Sequence, residues 1–277
     1  MRGRWIAAAG LVWLGGCSLL TDLTGFSNGT GDGGEADGAV APEAGSDGLA
    51  SGDGSADAGA DAACRSDDPS LVAWFPFDET SGTTAADCSQ QRLVATSIGN
   101  VLPRWTTGRI GGALAVDGES CLDVAGGALF AFEGAPFTIT AWVNVTTYST
   151  SASTGRFIAA HKSKNGWHVG TDAPKRFELD LEYGDGGKLE TSGTVQLATW
   201  THVAAVYDPG VRRTAYVNGV PAQSFADAPA AFDALPTTPS LRIGCRSPGS
   251  NSFAGSIDEL RIYSRVLTDG EIATLAQ

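Results

Sequence analysis

Glu178, Asp180 and Glu182 alternate with Leu179 and Leu181 in the run E-L-D-L-E. In an extended strand successive side chains point to opposite faces, so this spacing puts three carboxylates on one face. Phe177, Leu179, Leu181 and Tyr183 take the other face. Two carboxyl groups about 5–5.5 Å apart can carry out retaining glycoside hydrolysis, one as nucleophile and one as acid. Crowding like charges also pushes one pKa up, as an acid catalyst needs. A charged face on an alternating strand is equally what a half-exposed strand shows. The three histidines, His161, His168 and His202, do not lie at metal-ligand spacing from the cysteines, and there is no C-x-x-C, so zinc is not expected.

Such residues need rigid elements to hold them. Alternating runs predict strands over Leu71–Phe77, Leu93–Ile98, Gly111–Val116, Cys121–Val124, Phe137–Val145 and Arg156–His161. Further runs cover Trp167–Gly170, Phe177–Tyr183, Trp200–Tyr207, Thr214–Val217 and Leu241–Ile243. A terminal strand carries Ile257, Leu260 and Ile262. Asn218-Gly219 predicts a type I′ hairpin turn, whose two central residues need positive φ. Thr268 is a good N-cap and Glu271, three residues on, completes a capping box for a short last helix. Many short strands with turn signals and one late helix predict an all-β sandwich or jelly roll. Phe137, Trp142 and Trp200 are expected in its core, and His202 is expected as a structural hydrogen-bonder.

The chain has 277 residues with a net charge of −13, which argues against nucleic acid as a partner. The charge is uneven: eight acids and no bases lie between Asn28 and Ala63. Residues 17–63 are rich in Gly, Ala, Asp and Ser and are expected to be a disordered linker, because they cannot bury enough apolar surface to offset ordering entropy. About 45 flexible residues reach ~35–40 Å. Residues 1–16 read as a signal peptide, with Arg2 and Arg4 before the apolar run Ile6–Leu14. The following Leu14-Gly15-Gly16-Cys17 resembles the bacterial lipobox, which implies lipidation of Cys17. Ser18 after it, by resemblance to Gram-negative lipoproteins, implies export and anchoring at the outer membrane on its periplasmic or outer side.

Four cysteines remain, Cys64, Cys88, Cys121 and Cys245, which in an exported domain read as two disulfides with three connectivities. The favoured pairing is Cys64–Cys88 and Cys121–Cys245. The first ties the chain before the opening strand to the loop after it, and the second clips an early strand to a late one.

Seven motifs occur in order: L-V-A-W-F-P-F-D-E from Leu71, G-G-A-L-A-V-D-G from Gly111, F-T-I-T-A-W-V from Phe137, W-T-H-V-A-A-V-Y-D from Trp200, Y-V-N-G-V from Tyr216, L-R-I-G from Leu241 and I-D-E-L-R-I-Y from Ile257. Together they resemble the LamG-like jelly-roll domains of the concanavalin A-like lectin/glucanase superfamily, over about Leu71–Ala276. The resemblance implies a concanavalin A-like sandwich with a short C-terminal helix over residues 64–277. It also implies a non-enzymatic module that binds a carbohydrate or a surface protein, or serves structural adhesion. Lectin-like binding would draw on Trp105, Arg156, Trp167, His168 or Asn251. The E-x-D-x-E strand is similar to that of retaining β-glucanases on the same sandwich, but the Y-G-D-G-G that follows departs from their pattern. No cofactor is required; LamG-like domains often hold a structural calcium, for which Asp78 and Asp258 are the candidates.

Overall fold

A computed structural model of the chain describes residues 64–99, 103–117, 121–132, 134–148, 156–162, 166–172, 176–182, 188–226, 240–246 and 251–277. The signal peptide, Cys17 and the linker to residue 63 lie outside the described residues.

The strands in chain order are β1 Leu71–Phe75, β2 Thr84–Ala86, β3 Val94–Ile98, β4 Arg104–Thr107, β5 Gly112–Asp117, β6 Cys121–Val124, β7 Phe137–Val145 and β8 Arg156–Lys162. They continue as β9 Gly166–Asp172, β10 Arg176–Glu182, β11 Lys188–Thr194, β12 Trp200–Asp208, β13 Arg212–Val217, β14 Val220–Ala226, β15 Leu241–Ile243 and β16 Ala254–Tyr263. Among the described residues a 3-10 turn, Gly127–Phe130, precedes β7, and one α-helix, α1 Asp269–Leu275, follows β16.

Two antiparallel sheets form. Sheet A runs β14-β13-β12-β7-β16-β5-β4, with β1 added on β16; sheet B runs β11-β10-β9-β8-β15-β6-β3-β2. The main core lies between them. Ile139, Val143, Val203, Ala205, Ile257, Leu260 and Ile262 of sheet A meet Leu122, Val124, Val169, Phe177, Leu179, Leu181, Leu241 and Ile243 of sheet B. Each such aliphatic side chain contributes roughly 1.5–3 kcal/mol on burial.

A smaller apolar layer covers the outer side of sheet A, where Ile272 of α1 and Leu267 pack on Leu71, Ala204, Val206, Tyr216 and Tyr263. The helix is held at its start by the predicted capping box: Thr268 Oγ1 accepts from the Glu271 amide, and the Glu271 carboxylate accepts from the Thr268 amide. Tyr216 Oη donates to Asp269 Oδ1 at 2.7 Å and fastens the helix to β13. Asn218 and Gly219 both take positive φ, 50° and 78°, in the two-residue turn where Val217 pairs with Val220.

The cysteines pair Cys64 with Cys88, Cα atoms 5.1 Å apart, and Cys121 with Cys245, 5.6 Å apart. One core expectation, for Trp200, is corrected. Phe137 is in the inter-sheet core and Trp142 is buried as expected, on the outer face of sheet A, its ring edge-on to His202 at 5.4 Å. Trp200 is only half-buried, because it opens β12 at the sheet margin. The His202 ring packs rather than bonds at Nδ1, which has no partner among the described residues. Its backbone amide donates to Asn218 Oδ1 at 3.0 Å.

Candidate functional site

β9 and β10 pair in full register, setting Asp180 beside His168 and Glu178 beside Gly170. Phe177, Leu179 and Leu181 face the core, so Glu178, Asp180 and His168 share the outer face of sheet B, as period-two geometry demands. His168 Nε2 lies 3.7 Å from both Glu178 Oε1 and Asp180 Oδ2. Glu182 pairs with Gly166 and Lys188 in the ladders; Tyr183 lies outside the described residues.

The expectation of a half-exposed charged face is corrected. Glu178 is 7% exposed, Asp180 1% and His168 3%, so the carboxylate face is covered as thoroughly as the apolar one. Charges that deep are tolerated only with close partners. At the far end of the same strands Arg176 forms a fork to the Asp172 carboxylate, with Nε donating to Oδ1 at 3.0 Å. Burial raises the Asp172 pKa, against the Arg176 hydrogen bond, and the Glu178 charge adds to the rise.

Three of the five binding candidates come together here. Phe157 stacks on the His168 ring, centroids 3.9 Å apart. The Phe157 amide donates to the Asn251 carbonyl at 2.9 Å, and Arg156 Nη1 donates to the Ser252 carbonyl at 3.0 Å. Arg156 and Asn251 are half-buried and Arg176 is exposed. Arg176, two residues from Glu178 on β10, shares the outer face with His168, whereas Arg156 adjoins Phe157 on β8 and pairs with Thr171, so it leaves the strand on the opposite face. Phe157 and Ser252 carried no sequence signal for this role; the β8 strand and its bridge to Ser252 bring them in.

The other two candidates lie elsewhere. Trp167 is a core residue, 1% exposed, whose Nε1 donates to the Phe130 carbonyl at 2.9 Å. Trp105 sits on β4 at the edge of sheet A, its Nε1 donating to the Gly82 carbonyl at 3.3 Å. His161 points into the core beside Trp167 and Phe130, with neither ring nitrogen partnered among the described residues. Burial lowers its pKa to about 4.

Asp78 and Asp258 do converge, on the turn between β4 and β5. Asp258 Oδ2 accepts from the Arg109 and Ile110 amides at 2.8 and 2.9 Å, and Asp78 Oδ1 accepts from the Gly112 amide at 2.6 Å. Gly111, at φ 63°, must be glycine, since a Cβ there would overlap the Asp78 carboxylate. Burial raises the Asp258 pKa to about 7, with the Glu259 and Asp78 charges adding to it. Its Oδ1 is buried without a partner among the described residues. Glu259 is engaged, accepting from Trp74 Nε1 at 2.9 Å and pairing with Arg261. The set fits calcium poorly. Two carboxylates fall short of the six to eight oxygens calcium takes, and among the described residues no three His, Cys, Asp or Glu are grouped to hold an ion.

Two facing antiparallel sheets, crossed over as these are and carrying a polar outer face on one of them, define a lectin-type jelly roll. The chain belongs to the concanavalin A-like lectin/glucanases superfamily, whose laminin G profile matches residues 117–273. Among solved structures it is similar to domain 4 of AbnA, a GH43 extracellular arabinanase from Geobacillus stearothermophilus, in complex with arabinotriose. The identity is 22%, over 75% of this chain and 98% of that one, with a TM-score of 0.57. It is also similar to the binding domain of Paraclostridial Mosquitocidal Protein 1 (15% identity, TM-score 0.58). A third likeness is to the binding domain of botulinum neurotoxin DC in complex with SialylT (13%, 0.54). Three quarters of this chain aligns in each case, and it spans about half of those two chains, 52% and 51%. At these identities the likeness is one of fold. No curated protein sequence matches the chain.

Proposed function

We propose that this chain is a non-enzymatic carbohydrate-binding module, exported and held at the bacterial outer membrane through a lipid on Cys17. The observation that carries it is the burial of Glu178 and Asp180 around His168 on the outer face of sheet B, with the exposed Arg176 on the same face two residues along β10. Carboxylates enclosed in that way are kept from reaching the anomeric carbon of a polymer at the surface, which favours binding over hydrolysis. The arabinotriose complex of the AbnA domain and the SialylT complex of the neurotoxin domain support a sugar as the ligand class. A surface protein is the competing ligand, and pure structural adhesion needs none.

Binding of the full chain to a glycan array reads this directly. Arg176→Ala is expected to weaken retained glycans about 10-fold or more, the size of a lost charged hydrogen bond. An array with no glycan retained rules out the carbohydrate reading. β-Glucan hydrolysis should be absent from the wild type. Turnover that Glu178→Gln abolishes would instead establish a glucanase working through Glu178, Asp180 and Glu182.

This reading requires no cofactor. A chelator is therefore expected to leave the melting temperature within about 1 °C of its value in calcium. An ion seated between Asp78 and Asp258 at a hundred times its Kd would add about 2.7 kcal/mol, several degrees. A drop of that size on chelation, absent in Asp258→Asn, would assign it.

A further inference from the structure

The two disulfides lie on one route. The chain enters the described domain at Cys64, which is bonded to Cys88 across a sequence separation of 24. Inside that covalent loop lie β1, a five-residue strand paired among the described residues with β16, and β2, which pairs with β3 in sheet B. Besides that ladder, β1 is tied by Trp74 Nε1 to Glu259 Oε2 at 2.9 Å and, within the loop, by Cys88 N to Trp74 O at 2.8 Å and Trp74 N to Asp87 Oδ1 at 2.7 Å; ahead of the strand Ser66 N donates to Cys88 O at 2.9 Å. Beyond Cys88 the chain passes into β3, which pairs with β6 and sets Ile98 opposite Cys121. Cys121 is bonded to Cys245, two residues beyond β15. β15 pairs with β8, the first strand of the candidate binding face.

We propose that this arrangement is a load path: tension arriving from the N-terminal side bypasses β1 and crosses sheet B to the β8–β10 face through Cys64–Cys88 and Cys121–Cys245. The inference rests on the reading of an N-terminal anchor and a ligand on sheet B, which together put the domain under tension. Tension on Cys64 passes through sulfur to Cys88, so the residues between them carry none. Without that bond the same tension falls on Ser66 and then on the end of β1. An antiparallel edge strand loaded at its end loses its bonds one after another rather than all at once. Peeling β1 would uncover Ala73, Phe75 and the inner face of β16, so the clip guards the core as well as the strand.

The test is force spectroscopy on the oxidised full chain, held by its N-terminus and by an azide-bearing side chain replacing the exposed Thr194 of edge strand β11. The wild type is expected to show no early release of chain. Cys64→Ser with Cys88→Ser is expected to add an early, low-force step of ~36–40 Å, the extended length of the chain from Cys64 to the end of β1 at Phe75, with β2 still held on β3. Should that double variant misfold, single wild-type molecules are recorded before and after reductant is added to the chamber, with the same step expected only after. The early step in oxidised wild type, or its absence once the Cys64–Cys88 bond is broken, overturns the load path. The anchor is tested separately, by acyl labelling of the exported chain with Cys17→Ala as control. Failure there removes the anchor and leaves the force record standing, and the converse also holds.

Discussion

Removing the Cys121–Cys245 bond by Cys121→Ala with Cys245→Ala is expected to lower stability by about 5 kcal/mol. The bond spans a sequence separation of 124, and in the chain-entropy model a loop of that length restricts the unfolded chain by roughly that amount. Both cysteines are buried, at 2% and 0% exposure, so alanine is the better replacement: a serine would add a buried hydroxyl. For a domain of this size the loss should lower the melting temperature by roughly 10–20 °C. The shorter Cys64–Cys88 loop, 24 residues, should be worth less, about 3.5 kcal/mol. Thermal unfolding of the two double variants side by side checks both sizes and their order. A Cys121/Cys245 variant melting within about 3 °C of wild type, or above the Cys64/Cys88 variant, would contradict the expectation.

Acid should destabilise the domain through its buried histidines. His161 and His202 each have a pKa lowered to about 4, by burial in both cases and by the Arg261 charge as well for His202. Between the unfolded value of about 6.5 and about 4, the unfolded chain binds more protons than the folded one, so stability falls as pH falls through that window. The full loss is about 3 kcal/mol per histidine, complete below pH 4. Asp258 works in the opposite sense. Its folded pKa, raised to about 7, means the folded state holds the extra proton between about 7 and 3.8, so acid relieves part of its buried charge.

His161→Leu separates these effects. Both ring nitrogens of His161 are buried without partners among the described residues, next to Trp167 and Phe130, so an apolar side chain suits the site better. The variant is expected to gain about 1–3 kcal/mol at pH 7 and about 3 kcal/mol more at pH 4. Urea unfolding at the two pH values measures the difference; an equal gain at both would show that His161 is not the titrating group.

Much of this architecture is legible along the chain. Alternation in F-T-I-T-A-W-V-N-V predicts β7 over the nine residues the structure gives it, because an inward-facing residue recurs every second position. Four strands escaped prediction. β2 and β4 are three and four residues long, β14 is exposed along its length, and K-L-E-T-S-G-T of β11 has no run of alternating apolar residues. These form because a neighbour offers them a ladder. The bulge in β16 has a sequence trace: Ile257 and Leu260 are three apart yet both fully buried. Glu259 takes φ 53° between them and the register to β7 shifts there.

The candidate site divides in the same way. Which residues share a face follows from backbone period alone, so Glu178 and Asp180 could be grouped from their spacing, as could the capping of α1 by Thr268 and Glu271. Whether that face meets water depends on what packs over it. Burial of the carboxylates, the wedging of His168 between them and the arrival of Phe157 and Asn251 all come from segments distant in sequence. Local interactions set pitch, turn and cap, and those are written in neighbouring residues. Exposure, and with it the separation of a binding face from a catalytic one, is a property of the packed whole.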